Sequence, residues 1–127
     1  MKILLDTHVL IWIATVNKLS ETATTAFLDI NNELYFSTAS YWELAIKIGL
    51  GKLALSDGWI EDVDDTLNKN GIHWLPITPI HCQQITTLPT YHGDPFDRML
   101  IAQALVGEMT LMTADAKIQQ YTVPTLW

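Results

Sequence analysis

The feature that most restricts the fold of this chain is an apolar run near its start that does not alternate with polar residues. Ile3-Leu4-Leu5 is followed directly by Asp6. A strand with one face in water alternates apolar and polar residues, so an unbroken apolar run is typical of a strand buried on both faces in a parallel sheet. Similar short segments predict strands at residues 34–37, 73–77 and 111–113, with a possible fifth at 122–126.

Helical signals separate these predicted strands. Ser20 and Asp94 are typical N-cap residues, Gly71 favours a helix end, and a proline follows both Thr78 and Asp94 at the favoured first helical position. The predicted helices cover residues 9–14, 20–30, 40–50, 57–70, a segment from 78 onward, and 94–106. Strands that alternate with helices predict an α/β fold with a mainly parallel sheet of four to five strands, covered on both sides. The length suits a single domain over residues 1–127.

The charge balance restricts how the protein can meet its partners. The chain carries 14 acidic and 7 basic residues, for a formal net charge of −7. This balance argues against a broad basic face that holds nucleic acid. If the protein handles a polyanion, a bound divalent cation is the obvious source of the attraction that net charge does not supply.

Cysteine usage and hydropathy indicate the compartment. The single cysteine, Cys82, permits no internal disulfide, and the chain does not open with a basic-then-apolar leader. The longest apolar run, at residues 9–14, is too short to cross a bilayer. We therefore expect a reduced, soluble, cytoplasmic protein without membrane contact.

Four acidic residues fall where an open parallel sheet binds ligands, beyond the carboxyl ends of its strands. Asp6 follows the first predicted strand, and Asp115 lies two residues beyond Thr113, at the end of the fourth. Glu43 and Asp97 lie near the starts of predicted helices, which begin near the same edge. We expect these four carboxylates to converge.

Two of these acids also have simpler interpretations. Ser40 and Glu43 have the spacing of a capping box, in which the glutamate satisfies backbone donors. Asp94 is a plausible N-cap, and Asp97 would favour the positive end of the helix dipole. Asp97 also shares a helix face with Ile101, so we expect it to point toward the core, where a charge needs partners.

The negative charge of a carboxylate cluster must be compensated. Two of them ~5 Å apart repel by about 3 kcal/mol at an effective dielectric constant of ~20. They must take up protons, meet cationic side chains or bind a metal. Few basic residues lie close in sequence to the four acids; among them are Lys47, Arg98 and Lys117. Mg²⁺ or Mn²⁺ fits a site of carboxylates and waters, and such ions support in-line attack on phosphate.

The stretches that carry these acids resemble PIN domains, and in particular the ribonuclease toxins of VapBC toxin–antitoxin pairs. The matching sequences are LLDTH at residues 4–8, SYWELA at 40–45, HGDPFDRMLIA at 92–102 and TAD at 113–115. Each is weak alone, but their order and spacing over nearly the whole chain are specific. Ala114 departs from the pattern, because many relatives have an asparagine there.

The resemblance implies a three-layer α/β/α sandwich and a metal-dependent endoribonuclease with one or two Mg²⁺ or Mn²⁺ ions per site. It implies that the catalytic acids are Asp6, Glu43, Asp97 and Asp115. Of these, we expect Asp6, Asp97 and Asp115 to bind metal, and Glu43 to bind it or to orient a coordinated water. Residues with expected secondary roles at the site are Asp94, Thr7 and Thr113.

The resemblance also implies partners. Members of the family often form homodimers and are silenced by an antitoxin that lies over the active site, so contact with DNA is expected only through the antitoxin. Basic residues near the acids are candidate contacts to RNA phosphate: Lys47 and Arg98 first, with Lys52 and Lys117 as further candidates.

Two other classes of function stay open at this point. A receiver-like phosphoacceptor domain also opens with an apolar strand that ends in an acid and binds Mg²⁺, but here Asp6 stands alone rather than in an acidic pair. A catalytically silent PIN-fold binding module is the other alternative. RNA cleavage separates the nuclease from both.

Histidines and tryptophans are expected to be structural. His8 and His92 show no zinc-type spacing and are expected to serve packing or hydrogen bonding. Four tryptophans in apolar patterns are expected mostly in the core, with a dimer or antitoxin surface as the alternative for one of them: Trp12, Trp42, Trp59 and Trp74.

Overall fold

The computed structural model describes residues 1–15 and 18–127. Its strands are β1 (Lys2–Leu5), β2 (Glu33–Ser37), β3 (Ile72–Leu75), β4 (Thr110–Met112) and β5 (Thr125–Leu126). They form one sheet in the order β3-β2-β1-β4-β5, and every neighbouring pair is parallel. The predicted parallel sheet is therefore confirmed, including its fifth strand.

Six α-helices connect the strands in the part of the chain that the structure describes. They are α1 (Thr7–Ala14), α2 (Glu21–Leu28), α3 (Thr38–Gly49), α4 (Trp59–Lys69), α5 (Pro79–Ile85) and α6 (Pro95–Gly107), and a short 3₁₀ helix spans Ile118–Gln120. Each of the six predicted helices is present, with shifted ends. Within the described residues, no helix has both the length and the apolar composition that crossing a membrane requires.

Strand β1 supplies the centre of the core on both faces of the sheet. Ile3 and Leu5 pack with the apolar side chains of α1, α2 and α4, whereas Leu4 packs on the opposite face against Leu100 and Ile101 of α6. These side chains are fully buried. Because helices cover both faces, β1 has no wet side, which explains its unbroken apolar sequence and confirms the three-layer sandwich.

The start of α3 differs from the prediction. Ser37, at the end of β2, caps the helix by accepting a hydrogen bond from the backbone N–H of Ala39. Because this earlier serine takes the cap, the helix begins at Thr38 and Ser40 lies inside it. The capping-box interpretation of Ser40 and Glu43 is therefore wrong, and the Glu43 carboxylate is free of backbone capping.

Two other predicted elements extend beyond their observed ends. Strand β3 ends at Leu75 rather than at residue 77, because Pro76 has no N–H to donate to a neighbouring strand. Helix α2 ends at Leu28, since Asp29 has extended backbone angles. Both corrections leave the order of the elements unchanged.

Helix α6 ends on a residue with an unfavourable backbone conformation. The C-cap Glu108 has φ 54° and ψ 48°, in the left-handed region that costs a residue with a Cβ about 1 kcal/mol. We expect Glu108→Gly to raise the free energy of unfolding by about 0.5–1 kcal/mol in urea melts. Glu108→Ala keeps the Cβ and is the control. An equal gain from alanine would show that the charge, and not the backbone, sets the stability here.

Candidate active site

The centre of the site is the carboxyl edge where β1 and β4 lie side by side. Leu5 pairs with Met112, so the next residues along each strand, Asp6 and Thr113, become neighbours although they are far apart in sequence. The Asp6 N–H donates to the Met112 carbonyl (3.0 Å), and the Thr113 hydroxyl donates to Asp6 Oδ2 (2.6 Å). The parallel register therefore fixes the orientation of the Asp6 side chain.

The start of α1 joins this edge to α3. Asp6 is the N-cap of α1, and its Oδ1 accepts from the Thr7 N–H at 2.7 Å. The Thr7 hydroxyl in turn donates to Glu43 Oε1 at 2.7 Å. Glu43 is buried in α3. Thr7 thus contacts both Asp6 and Glu43 and fixes the position of one carboxylate relative to the other.

The first turn of α6 brings two more acids. Asp94 caps the helix as predicted, because its Oδ1 accepts from the N–H groups of Phe96 (2.9 Å) and Asp97 (3.1 Å). Asp97 is 9% exposed, so the prediction that it points inward is confirmed. Its nearest partner is His92, whose Nε2 lies 3.1 Å from Asp97 Oδ2.

All four predicted catalytic acids meet in one cleft of about 340 Å³. Its acidic lining residues are Asp6, Glu43, Asp94, Asp97 and Asp115. The Asp115 N–H donates to the Thr113 hydroxyl (3.0 Å), which ties the loop after β4 to the same network. The structure therefore places every predicted acid at one site.

The raised pKa values of two of these acids show that the crowding disfavours their ionised forms. Burial raises the pKa of Asp97 to about 6, against the lowering effect of the His92 hydrogen bond, and the charges of Asp6, Asp94 and Asp115 raise it further. Burial also raises the pKa of Asp6, although His8 and Thr113 oppose the change. The site thus holds more negative charge than its own partners compensate.

The basic residues near the site differ in their contacts. Lys47 lines the cleft and pairs with Glu43 Oε2 at 2.9 Å, a contact that raises the pKa of Lys47. Arg98 instead donates from Nη1 to neutral oxygens, the Pro89 carbonyl (2.7 Å) and the Tyr121 hydroxyl (3.1 Å). Lys52 also lines the cleft. Contact of any of these side chains with RNA phosphate stays a prediction.

The donor set fits a hard divalent cation by its chemistry. Carboxylate oxygens are the ligands that Mg²⁺ and Mn²⁺ prefer, and a cation would offset the charge that raises the pKa of Asp97. Within residues 1–15 and 18–127, no three acidic, cysteine or histidine side chains are already gathered in coordinating geometry. Internal partners explain this, because Asp6 and Glu43 each use both oxygens in contacts within the chain. The metal ligands predicted above therefore stay predictions.

Three residues with less prominent signals surround the acids. The His8 Nε2 accepts from the Ala114 N–H (3.3 Å), and its Nδ1 lies 3.4 Å from Asp6 Oδ2. The hydrogen-bonding role expected for His8 and His92 is thus confirmed. Tyr121 was not predicted at all. It follows the 3₁₀ helix in a segment without a motif, so its place beside His92 follows only from the tertiary fold.

Two tryptophans contradict the expectation of a core role. Trp42 is 60% exposed and Trp74 is 42% exposed. Trp42 adjoins Glu43 on α3 and packs against the Phe96 ring, with ring centroids 5.3 Å apart and nearly perpendicular planes. The spacing of apolar residues along a short helix such as α3 does not show which of its faces packs on the core and which is exposed.

Known proteins resemble this chain over almost all of its length. It is 26% identical to Ribonuclease VapC22 of Mycobacterium tuberculosis, over 98% of both chains. Its fold matches VapBC2 from Rickettsia felis bound to a DNA fragment from their promoter, with a TM-score of 0.77, 16% identity, and coverage of 98% of this chain and 97% of the other. It also matches VapBC-1 from nontypeable Haemophilus influenzae, with a TM-score of 0.66, 18% identity, and coverage of 98% and 96%.

The family comparison agrees with the arrangement of the cleft. The PIN domain model matches residues 3–124, a range that includes all five acids of the cleft. The match covers nearly all of the sheet and every helix described above. The chain therefore belongs to the PIN domain family.

Proposed function

We propose that this chain is a metal-dependent endoribonuclease that acts as the toxin of a toxin–antitoxin pair. The observation that carries the proposal is the convergence of five carboxylates in one cleft, with Asp97 buried and its pKa raised to about 6. Carboxylates whose pKa values are raised by burial and by neighbouring charges are typical of functional sites. The ribonuclease name of the relative from Mycobacterium tuberculosis supports RNA as the substrate.

In the proposed site, Asp6, Asp97 and Asp115 hold one or two Mg²⁺ or Mn²⁺ ions. Such an ion, when bound, supplies a Lewis acid for the scissile phosphate and for the attacking water. Asp94 keeps the first turn of α6 in place through its two capping bonds. Thr113 and Thr7 keep the carboxylates of Asp6 and Glu43 turned toward the cleft.

Other residues of the cleft act on the RNA phosphates and on the attacking water. Lys47 and Lys52 line the cleft and offer positive charge to the RNA phosphates in a protein whose net charge is −7. Glu43 accepts from Thr7 on one oxygen and pairs with Lys47 on the other, so its carboxylate is held in one orientation at the cleft, where it orients the attacking water. The water oxygen attacks phosphorus and gives up a proton, the bond to the 3′ oxygen breaks, and that oxygen takes up a proton from solvent, which leaves a 5′-phosphate and a 3′-hydroxyl.

The proposal includes an antitoxin that covers the cleft in the cytoplasm of the cell. The VapBC complexes among the matched structures support a partner of this kind. One of them is bound to promoter DNA, which supports contact with DNA through the antitoxin. A homodimer of this chain completes the proposed assembly.

Incubation of the purified protein with total RNA tests this function. We expect discrete cuts with Mn²⁺ and none with EDTA, and fragments that carry 5′-phosphate and 3′-hydroxyl ends. Because the net charge is −7, we also expect weak RNA binding in EDTA at physiological salt.

Three outcomes would contradict the proposal. Cleavage that persists in EDTA would remove the metal from the mechanism. Ends that carry a 2′,3′-cyclic phosphate would indicate attack by the RNA 2′-hydroxyl instead of water. Phosphorylation of Asp6 by a small phosphodonor, without RNA cleavage, would support the receiver-like alternative.

A further inference from the structure

A ring of side-chain contacts joins two neighbouring residues of α6, Asp97 and Arg98, to two residues outside the helix. His92 lies in the loop before α6, and Tyr121 follows the 3₁₀ helix. Asp97 contacts His92, His92 contacts Tyr121, and Tyr121 contacts Arg98, the residue next to Asp97 on the helix. The Tyr121 ring is held edge-on against the rings of His92 and Tyr91, at centroid distances of 5.5 Å and 5.0 Å. Neither His92 nor Tyr121 has a part in the chemistry proposed above.

The direction of each hydrogen bond in this ring follows from the donors available. Arg98 has only donors, so the Tyr121 hydroxyl oxygen accepts from Arg98 Nη1 at 3.1 Å. The backbone N–H of His92 also points at that oxygen, at 3.4 Å. The single proton of Tyr121 is therefore left to donate. Two acceptors lie within reach, and His92 Nδ1 at 2.8 Å is much closer than the His92 carbonyl oxygen at 3.5 Å.

This direction fixes the tautomer of His92. A ring nitrogen that accepts a hydrogen bond carries no proton, so the proton of the neutral imidazole lies on Nε2. Nε2 is the nitrogen that faces Asp97 Oδ2, at 3.1 Å. The side chains of His92 and Asp97 are only 13% and 12% exposed, so these protein partners, and not water, decide the arrangement.

We propose that Arg98 and Tyr121 act as positioning residues that hold His92 as the Nε2–H tautomer, and that His92 thereby fixes the orientation of the Asp97 carboxylate in the cleft. Without the Tyr121 hydroxyl, the imidazole can carry its proton on Nδ1 and present a lone pair to the carboxylate, which repels it. The functional part of this inference rests on the proposed function, in which Asp97 binds metal. Partners of ligating groups commonly change metal affinity by about 10–100-fold when they are removed.

Tyr121→Phe is the variant that tests the ring, because it removes one hydroxyl and keeps the buried aromatic packing. Tyr91→Phe is its matched control, since it removes the same group from the exposed neighbouring ring. The first readout is nitrogen NMR of the metal-free protein, with the His92 signals assigned by their loss in His92→Gln. The second is Mn²⁺ binding by calorimetry, and the third is the separation of kcat from KM for RNA cleavage.

We expect the wild type and Tyr91→Phe to show His92 protonated on Nε2 alone. Tyr121→Phe is expected to lose this preference, to bind Mn²⁺ about 10-fold more weakly, and to lower kcat by a similar factor with little change in KM. A proton on Nδ1 in the wild type would overturn the proposal without any variant. Unchanged tautomer and Mn²⁺ affinity in folded Tyr121→Phe would overturn it as well.

The readouts also separate this inference from the proposed function. If the wild type shows the Nε2–H tautomer but neither binds Mn²⁺ nor cuts RNA, the nuclease proposal fails and the ring of hydrogen bonds stands. If the wild type cuts RNA and Tyr121→Phe matches it in all three readouts, the nuclease stands and the positioning role fails.

Discussion

Asp6→Asn is expected to lower Mn²⁺-dependent RNA cleavage by about 10³-fold while the protein stays folded. Asparagine keeps an oxygen for the Thr7 N–H, so the cap of α1 survives. Its amide can donate to the Thr113 hydroxyl oxygen where the carboxylate now accepts. The change therefore removes a charge and one oxygen of the proposed metal site without opening a cavity.

Initial rates on one defined RNA, measured with saturating Mn²⁺, check this prediction. Asp64→Asn is the matched control, because Asp64 is an exposed aspartate on α4, away from the cleft. The control is expected to keep wild-type activity, and both variants are expected to melt within a few degrees of the wild type. Full activity in folded Asp6→Asn would exclude Asp6 from the mechanism.

In the absence of metal, the free energy of unfolding is expected to fall as the pH rises from about 4 to about 7, through the charge of Asp97. The native pKa of Asp97 is about 6 and the ordinary value is 3.8, so the native state binds this proton more readily than the unfolded state. Stability that depends on a raised pKa is fully present below the ordinary value and is lost as the pH passes the native one. The raised pKa of Asp6 acts in the same direction.

Asp97→Asn isolates this effect, since the amide is neutral at every pH. At pH 8 and with EDTA, we expect the variant to be more stable than the wild type by about 2–3 kcal/mol, and the difference to vanish near pH 4. Urea melts at several pH values measure both curves. Parallel curves for the two proteins would show that Asp97 ionises at no cost in the native state.

Metal is expected to offset most or all of this difference in stability. Mn²⁺ at about 100 times its dissociation constant adds about 2.7 kcal/mol to a protein that binds it only when folded. We expect this gain in the wild type and a much smaller one in Asp97→Asn, because the variant lacks the ligand charge. Equal gains in both proteins would place the bound ion outside the cleft.

Much of the architecture could be predicted because it depends on local pattern. The unbroken run before Asp6 specifies a strand buried on both faces, and the position of Asp6 after it specifies the edge at which ligands bind. The inward direction of Asp97 followed from its helical spacing to Ile101. These inferences need only the period of a strand or a helix and the rules for connecting parallel strands.

Other features could not be predicted, because they depend on tertiary contacts or on competing residues that the local sequence pattern does not reveal. Ser37 takes the cap that Ser40 was expected to form, because the chain enters α3 directly from β2. Trp42 is exposed although its apolar surroundings predicted a core position. Tyr121 meets His92 across 29 positions, and its segment carries no periodic or capping signal.

The pairing of β1 with β4 has a consequence for synthesis of the protein. Asp6 precedes Thr113 by 107 positions, and β4, Thr113 and Asp115 all follow position 109. A ribosome-bound chain shorter than this has no partner strand on that side of β1. A chain whose translation stops before β4 therefore cannot assemble the cleft, so the activity proposed for this site requires β4 and Asp115 to have been made first.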